Sequence, residues 1–146
     1  MHQTRGLLMN KIVLISCASK KLPRKAKASQ LYASPLFQLS LRYAKTIRPD
    51  AIYILSAKHG LLDLETTIEP YNATLNEMTT SERKTWAKAV AAQLGKCTNI
   101  NRDHFVLLAG QNYRSHLTPY LQSFEVPLEG LSIGKQLQYL CRKLSS

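Results

Sequence analysis

One short stretch, residues 56–77, contains the side chains best suited to chemistry. It carries a lysine, a histidine and several acids, namely Lys58, His59, Asp63, Glu65 and Glu69. The chain has nine carboxylates, and four of them lie between positions 63 and 77. The chain has 20 Lys and Arg residues but only nine acids. An ordinary solvent-exposed surface would therefore not be expected to hold four acids so close together in sequence. Because Lys, His and carboxylate groups after a buried strand are the usual layout of a site in an open α/β sheet, we expect an active or binding site here.

Three apolar runs must position these groups, at 11–16, 51–56 and 104–109. Runs of this length, rich in β-branched residues, predict buried strands. Each run ends in polar or glycine-bearing residues, and the carboxyl ends of parallel strands meet at one edge of a sheet, where ligands bind. We therefore expect a ligand site at that edge, formed by Ser16, Cys17, Ser19, Lys20, Ser56, Gly110, Asn112 and Tyr113, with Tyr71 from the acidic stretch.

Every one of these residues also has an ordinary structural explanation. Ser16 and Ser56 can simply end their strands, and Gly110 can permit a tight turn. Cys17 is more often a small buried residue than a nucleophile, since no catalytic signature surrounds it. The prediction of a site rests on the coincidence of three strand ends.

Helical signals alternate with the strands. A Ser-Pro pair predicts a helix at 35–47, and a capping start at Thr80 predicts a second helix that closes at Gly95. The later elements are a short helix, a fourth strand and a last helix, at 114–122, 124–126 and 132–144. The segments between are predicted as long loops, at 17–30 and 57–78.

This alternation predicts the fold class. We expect one α/β domain over residues 1–146, with a mostly parallel central sheet of about four strands and helices on both faces. The apolar runs are too short to span a bilayer, and no signal peptide is recognisable, so a cytoplasmic protein without membrane association is expected.

The positive charge is concentrated at one end of the sequence. The formal net charge is +11, and ten of the 20 basic residues precede the first acid, Asp50. This pattern favours a polyanionic partner, although a merely soluble basic protein is the alternative. The predicted nucleic-acid contacts are Lys20, Lys21, Arg24, Lys25, Lys27 and Arg42, with Arg114 after the third strand.

Signatures of cofactor and metal enzymes are missing from the sequence. It contains no GxGxxG, no Walker A loop, no HExxH and no GxSxG. The three cysteines show no CxxC spacing, which argues against structural zinc and a disulfide framework. We therefore expect neither a cofactor nor a metal.

Several motifs resemble one family over nearly the whole chain. LSAKHGLLDLETTIEPYNATLNEM resembles a segment of the YaaA-like peroxide-stress proteins, and IVLISCASKK, AGQNYR and LEGLSIGKQLQYL resemble their short, divergent relatives. The resemblance implies a single α/β domain that binds DNA. A similar Cys-Ser-Lys loop occurs in domains attached to enzymes of deazaguanine tRNA modification. Those domains are similar in fold to uracil-DNA glycosylases, and glycosylase activity is associated with related proteins.

Together these features predict a DNA-binding protein that hydrolyses N-glycosidic bonds in damaged or modified DNA. A carboxylate would stabilise the cationic sugar or orient water, with Asp63, Glu65 and Glu69 as candidates. Glu69 is favoured because Pro70 and Tyr71 would fix its backbone. Lys58 or His59 would stabilise the departing base. Tyr32, Tyr71 or Tyr113 would stack on the base, and Asn112 would form hydrogen bonds with its polar edge.

Two alternatives stay open. The protein could be a non-catalytic DNA-binding protein of the oxidative-stress response, in which the acids pair with the excess Lys and Arg. It could also be an enzyme acting on a small phosphorylated metabolite, which ranks last because the sequence has no phosphate-binding loop. The base, the type of nucleic acid and the oligomeric state are left undetermined.

Overall fold

Strands and helices alternate along residues 9–145, the part of the chain that the computed structural model describes. The strands are β1 Lys11–Ser16, β2 Ala26–Lys27, β3 Ala51–Ser56, β4 Gly60–Asp63, β5 Thr67–Ile68, β6 His104–Leu108 and β7 Ser123–Glu125. The helices are α1 Ala28–Leu31, α2 Pro35–Thr46, α3 Thr80–Cys97, α4 Gln111–Arg114 and α5 Ile133–Ser145, with 3-10 turns at Leu75–Glu77 and Thr118–Tyr120.

The main sheet has five strands in the order β4-β3-β1-β6-β7. β3, β1, β6 and β7 are parallel, and only β4 is antiparallel. Ile12 of β1 lies opposite Ala51 and Phe105 of its two neighbours. The predicted α/β fold with a mostly parallel sheet is confirmed, and so is the prediction that the first three parallel strands end at one edge.

Helices cover both faces of this sheet, as predicted. Val13 and Ile15 pack in one core layer with α2 and α5, while Ile12 and Leu14 pack in the other layer with α3. Successive strand residues point to opposite faces, so a strand covered on both faces must be apolar throughout. This explains the continuous apolar run of β1.

Helix α2 begins as predicted, whereas the bounds of α3 differ from prediction. Ser34 caps α2, and its Oγ accepts from the N–H of Phe37 at 3.2 Å. The capping box of α3 starts one residue earlier than predicted, at Thr79, whose Oγ1 accepts from the Glu82 N–H at 3.1 Å. The predicted stop at Gly95 was wrong, since the helix continues to Cys97.

The two predicted long loops contain regular structure. The first holds β2 and α1, and the second holds β4 and β5. β2 pairs antiparallel with β5, so the two segments brace each other. A tight turn joins β3 to β4: Gly60 has a φ of +73°, and the Ser56 Oγ accepts from the N–H groups of Lys58 and His59. The polar residues after β3 therefore build a hairpin.

The predicted helix at 114–122 was also wrong. The chain instead forms α4, ending at Arg114, then a 3-10 turn and β7. Pro119 lies in the turn, and a proline in a helix interior removes a hydrogen bond and clashes with the preceding turn.

Candidate functional site

A cleft of about 680 Å³ opens at the carboxyl edge of the sheet, between the ends of β1 and β6. Ligand pockets typically measure roughly 300–1,000 Å³, so its size is adequate for a small molecule or a nucleobase. Its lining comes mainly from four segments: residues 15–19 at the end of β1, 34–40 at the start of α2, 108–114 at the end of β6, and 128–136 before and within α5.

The strand order explains why the cleft lies there. From β1 the chain passes through α2 to β3 on one side, and from β3 it crosses through α3 to β6 on the other side. The connections after β1 and β6 therefore leave in opposite directions and open a crevice between them. Ligands of open α/β proteins bind at this reversal of strand order.

The cleft presents mostly uncharged hydrogen-bonding groups. These are Ser16, Cys17, Ser19, Ser34, Ser40, Asn76, Gln111, Asn112, Tyr113 and Gln136. The Nδ2 of Asn112 donates to the Oδ1 of Asn76 at 2.7 Å, and the Nε2 of Gln136 donates to the Leu131 carbonyl at 2.9 Å. These bonds hold the two carboxamides in place at the cleft wall.

One cation and one carboxylate accompany them, Arg114 and Glu129. The Arg114 Nη1 donates to the carbonyl of Ala109 at 2.9 Å, and its Nη2 lies 3.9 Å from the Glu129 Oε2. The Arg114 side chain is only 17% exposed, whereas that of Glu129 is 69% exposed. Among the residues described, Glu129 is the sole carboxylate of the cleft lining.

Cys17 and Tyr113 meet at one wall. The Cys17 Sγ donates to the Tyr113 Oη at 3.4 Å, and the same oxygen accepts from the Leu75 N–H at 3.3 Å. Burial, followed by the nearby Cys17, raises the pKa of Tyr113 to about 12. The Tyr113 ring also packs edge-on against Trp86. Tyr113 is therefore a fixed, neutral part of the wall.

Ser56 and Tyr71 belong to a separate group, the tyrosine cluster, formed by Tyr32, Tyr71, Ser56 and Lys21. The Tyr71 hydroxyl lies 2.6 Å from that of Tyr32 and 2.8 Å from that of Ser56. The Lys21 Nζ lies 4.4 Å from the Tyr71 ring centroid, and burial lowers the pKa of this lysine. No member of the cluster lines the cleft.

The tyrosine cluster shows that the predicted stacking of a base on Tyr32 was wrong, and it also gives His59 a packing partner. Tyr32 is fully buried, so its ring has no open face on which a base could stack. The His59 ring packs edge-on against Tyr71, with centroids 5.5 Å apart, and its pKa is lowered by burial and by the charge of Lys58.

The predicted catalytic acids lie outside the cleft lining. Asp63 is exposed, and its Oδ1 accepts from the Glu65 N–H at 2.7 Å. Glu65 pairs with Lys27 at 3.0 Å on the surface, and Glu69 is exposed. Lys58 is exposed as well. The structure thus brings none of these side chains to the cleft, and their catalytic roles stay predictions.

The predicted basic contacts divide into two sets. Lys20, Arg24, Lys25 and Arg42 are exposed, and Lys20 directly follows Ser19 of the cleft wall. Lys27 is exposed but paired, Lys21 lies against two tyrosine rings, and Arg114 is bonded within the cleft.

Six polar residues of the cleft were not among the predicted site residues: Ser34, Ser40, Asn76, Gln111, Glu129 and Gln136. A signal for Glu129 existed, because β7 is a fourth parallel strand and the chain after it also reaches the carboxyl edge. Ser40 is 3% exposed and lies on the buried face of α2. The helical periodicity of the sequence places Ser40 among the core residues of α2, so it cannot identify Ser40 as a cleft residue.

The fold and the cleft define an open α/β protein with a candidate ligand site at the reversal of its strand order. Residues 12–142 match DUF6884, a family of unknown function, and the chain belongs to that family. No curated protein and no solved structure matched the chain. Over residues 9–145, no helix is long and apolar enough to cross a membrane, and no three His, Cys, Asp or Glu side chains are grouped to hold a metal ion.

Proposed function

We propose that the protein binds nucleic acid, accepts one nucleobase in the cleft between β1 and β6, and hydrolyses its N-glycosidic bond. The observation that carries this proposal is the lining of the cleft. It combines uncharged hydrogen-bonding groups with apolar walls, one carboxylate and one guanidinium. The basic loop, residues 20–25 with the exposed Lys20, Arg24 and Lys25, begins at the cleft wall.

The basic loop supports the binding step. Lys20, Arg24 and Lys25 are exposed, and no acid within the first 49 residues offsets their charge. Lys and Arg side chains on phosphates supply sequence-independent affinity and position the partner. A base must leave the stack before an enzyme can act on it. The loop that would bind the phosphates begins directly after Ser19 of the cleft wall, so a base that leaves the stack there would be close to the cleft.

The uncharged lining supports base recognition. Asn112 and Gln136 are held by bonds to Asn76 and Leu131, which leaves the side-chain oxygens of both carboxamides available to accept hydrogen bonds from a base. Phe37 and Leu108 supply apolar wall for the ring faces. A neutral base suits this lining better than a highly charged metabolite does.

Glu129 is the carboxylate that we assign to the chemistry. The oxygen of a water molecule forms a bond to C1′ of the sugar, and the C1′–N bond breaks with its electron pair passing to the base. The water gives up one proton, and the released base gains one, so that the products are the sugar hydroxyl and the neutral base. The Glu129 carboxylate would stabilise the cationic sugar carbon and orient the water, while Arg114 would stabilise the negative charge on the departing base. Glu129 replaces Glu69 in this role because Glu129 lines the cleft and Glu69 does not.

A second candidate is nucleic-acid binding without chemistry. The surface pair between Lys27 and Glu65 favours it, since it shows an acid of the 63–77 stretch neutralising an excess lysine.

Release of free bases from DNA separates the two functions. Single- and double-stranded oligonucleotides with unmodified and modified bases are incubated with the protein, and free bases and abasic sites are measured. The proposal expects both products from at least one substrate. Binding to every oligonucleotide with no base released would leave the second candidate, and no binding would contradict both.

A further inference from the structure

We propose that Ser40 determines specificity in the cleft, through a hydrogen bond from its side chain to a polar atom at the deep edge of the ligand. The inference rests on the proposed function only for the identity of that ligand as a nucleobase. It assigns a role to a residue of the core-facing side of α2.

The position of Ser40 is unusual for a polar residue. Phe37, Leu41 and Ala44 form the buried stripe of α2, at the spacing of successive helical turns. Ser40 lies within this stripe and is only 3% exposed, where an apolar side chain would be expected.

The hydroxyl of Ser40 has no protein partner among residues 9–145. A Ser or Thr side chain in a helix can donate to a carbonyl one turn earlier, as that of the exposed Thr85 does to Ser81 at 3.1 Å. Ser40 makes no such bond. No fully enclosed side-chain oxygen or nitrogen among the described residues lacks a partner, so the Oγ of Ser40 keeps some exposed surface. Ser40 lines the cleft, which is where that surface is expected to lie.

The chemical consequence follows from the surroundings. Phe37 and Leu108 line the same cleft and offer no hydrogen bond through their side chains. A hydroxyl can donate to a ring carbonyl or ring nitrogen, or accept from a ring N–H. Ser40 therefore favours a ligand whose inner edge carries such an atom, and nucleobases carry them around the ring.

The test measures binding of free adenine, guanine, cytosine, uracil and thymine by calorimetry, with melting temperatures of each variant. Ser40→Ala should weaken binding of the preferred base about fivefold to tenfold, as expected for loss of one neutral hydrogen bond. Its melting temperature should be unchanged or higher, because the wild-type hydroxyl makes no hydrogen bond to any of residues 9–145. Ser40→Cys, which keeps the shape with a weak donor, should also lose affinity.

Ser81→Ala is the matched control, since Ser81 is an exposed helical serine outside the cleft lining, and affinity should not change. Unchanged affinity in Ser40→Ala would overturn the inference and leave the proposed function standing. A lowered melting temperature in Ser40→Ala with affinity retained would show a structural hydroxyl and overturn it too. If none of the five bases binds to the wild-type protein, this inference is overturned, whereas the proposed function is decided separately by base release from the oligonucleotides.

Discussion

The guanidinium of Arg114 lies 3.9 Å from the carboxylate of Glu129, and both side chains line the cleft at the carboxyl edge of the sheet. Arg114 follows β6 and Glu129 follows β7, so two neighbouring parallel strands deliver the two charges to one place. When an N-glycosidic bond breaks, the sugar becomes positive and the base becomes negative. A carboxylate and a guanidinium beside that bond are suited to stabilise the two fragments.

The buried end of Arg114 makes a stability prediction. Arg114→Met removes the donor to the Ala109 carbonyl and the partner of Glu129. We expect the free energy of unfolding to fall by about 1–3 kcal/mol, because a partly buried acceptor loses its hydrogen bond. Arg42→Met, at an exposed position of α2, should stay within about 0.5 kcal/mol of wild type. Urea denaturation of both variants checks this, and equal stability would show that the Ala109 bond contributes nothing.

The tyrosine cluster predicts a second stability effect. Tyr71→Phe removes the hydroxyl that joins buried Ser56 to buried Tyr32. The two remaining hydroxyls lose that partner, so we expect a loss of about 1–3 kcal/mol in the free energy of unfolding. Tyr120→Phe is the matched control, since Tyr120 is 44% exposed. A wild-type denaturation midpoint in Tyr71→Phe would contradict the role of the cluster.

Alkaline pH should destabilise the fold through Tyr113. Its pKa rises from 10.0 in the ordinary side chain to about 12, mainly by burial. Between these values the unfolded state loses a proton that the folded state keeps, so stability falls as pH rises, by at most about 1.4 kcal/mol per pH unit for this group. Tyr32, with its pKa also raised to about 12, acts in the same direction.

Tyr113→Phe tests this sign. The free energy of unfolding is measured from pH 9 to 11 for wild type, Tyr113→Phe and Tyr120→Phe. The Tyr113 variant should lose stability less steeply than the other two proteins, whatever its stability at neutral pH. The same slope in all three would mean that Tyr113 ionises alike in folded and unfolded states.

The basic loop predicts salt-dependent binding. Replacing Lys20, Arg24 and Lys25 by Gln should weaken DNA binding alike for all sequences and lower the slope of log affinity against log salt by about 1 for each phosphate that is no longer neutralised. The control variant replaces the exposed Lys84, Lys88 and Lys96 of α3, which removes the same charge from another element. Equal weakening in both variants would mean that the loop contributes only its net charge and does not contact the DNA specifically.

The sequence predicted the parallel strands because local patterns determine them. The apolar run of β1 and the Ser34-Pro35 start of α2 are complete signals within a few residues. The hairpin at Gly60 was missed because its turn uses Lys58 and His59, residue types that also indicate chemistry. β2 and β5 are two residues each, too short for any periodicity to appear.

The site was predicted only in part, for a different reason. Ser16, Cys17, Ser19, Gly110, Asn112 and Tyr113 do line the cleft, because strand ends can be located from sequence. The acidic stretch leaves β3, which lies on the other side of β1 from the cleft, and strand order depends on long-range packing. Glu129, which follows β7, and Ser40 of α2 are brought to the cleft by that same packing.

Base release by wild type, Glu129→Gln and Glu69→Gln is the measurement that tests the central claim most directly. The amide keeps the shape of each side chain and removes its negative charge, which the transition state needs. We predict that wild type and Glu69→Gln release base at similar rates, while Glu129→Gln is slower by about 100-fold or more and binds DNA as tightly or more tightly. Base release by Glu129→Gln at the wild-type rate, or no release by the wild-type protein, would contradict hydrolysis in this cleft.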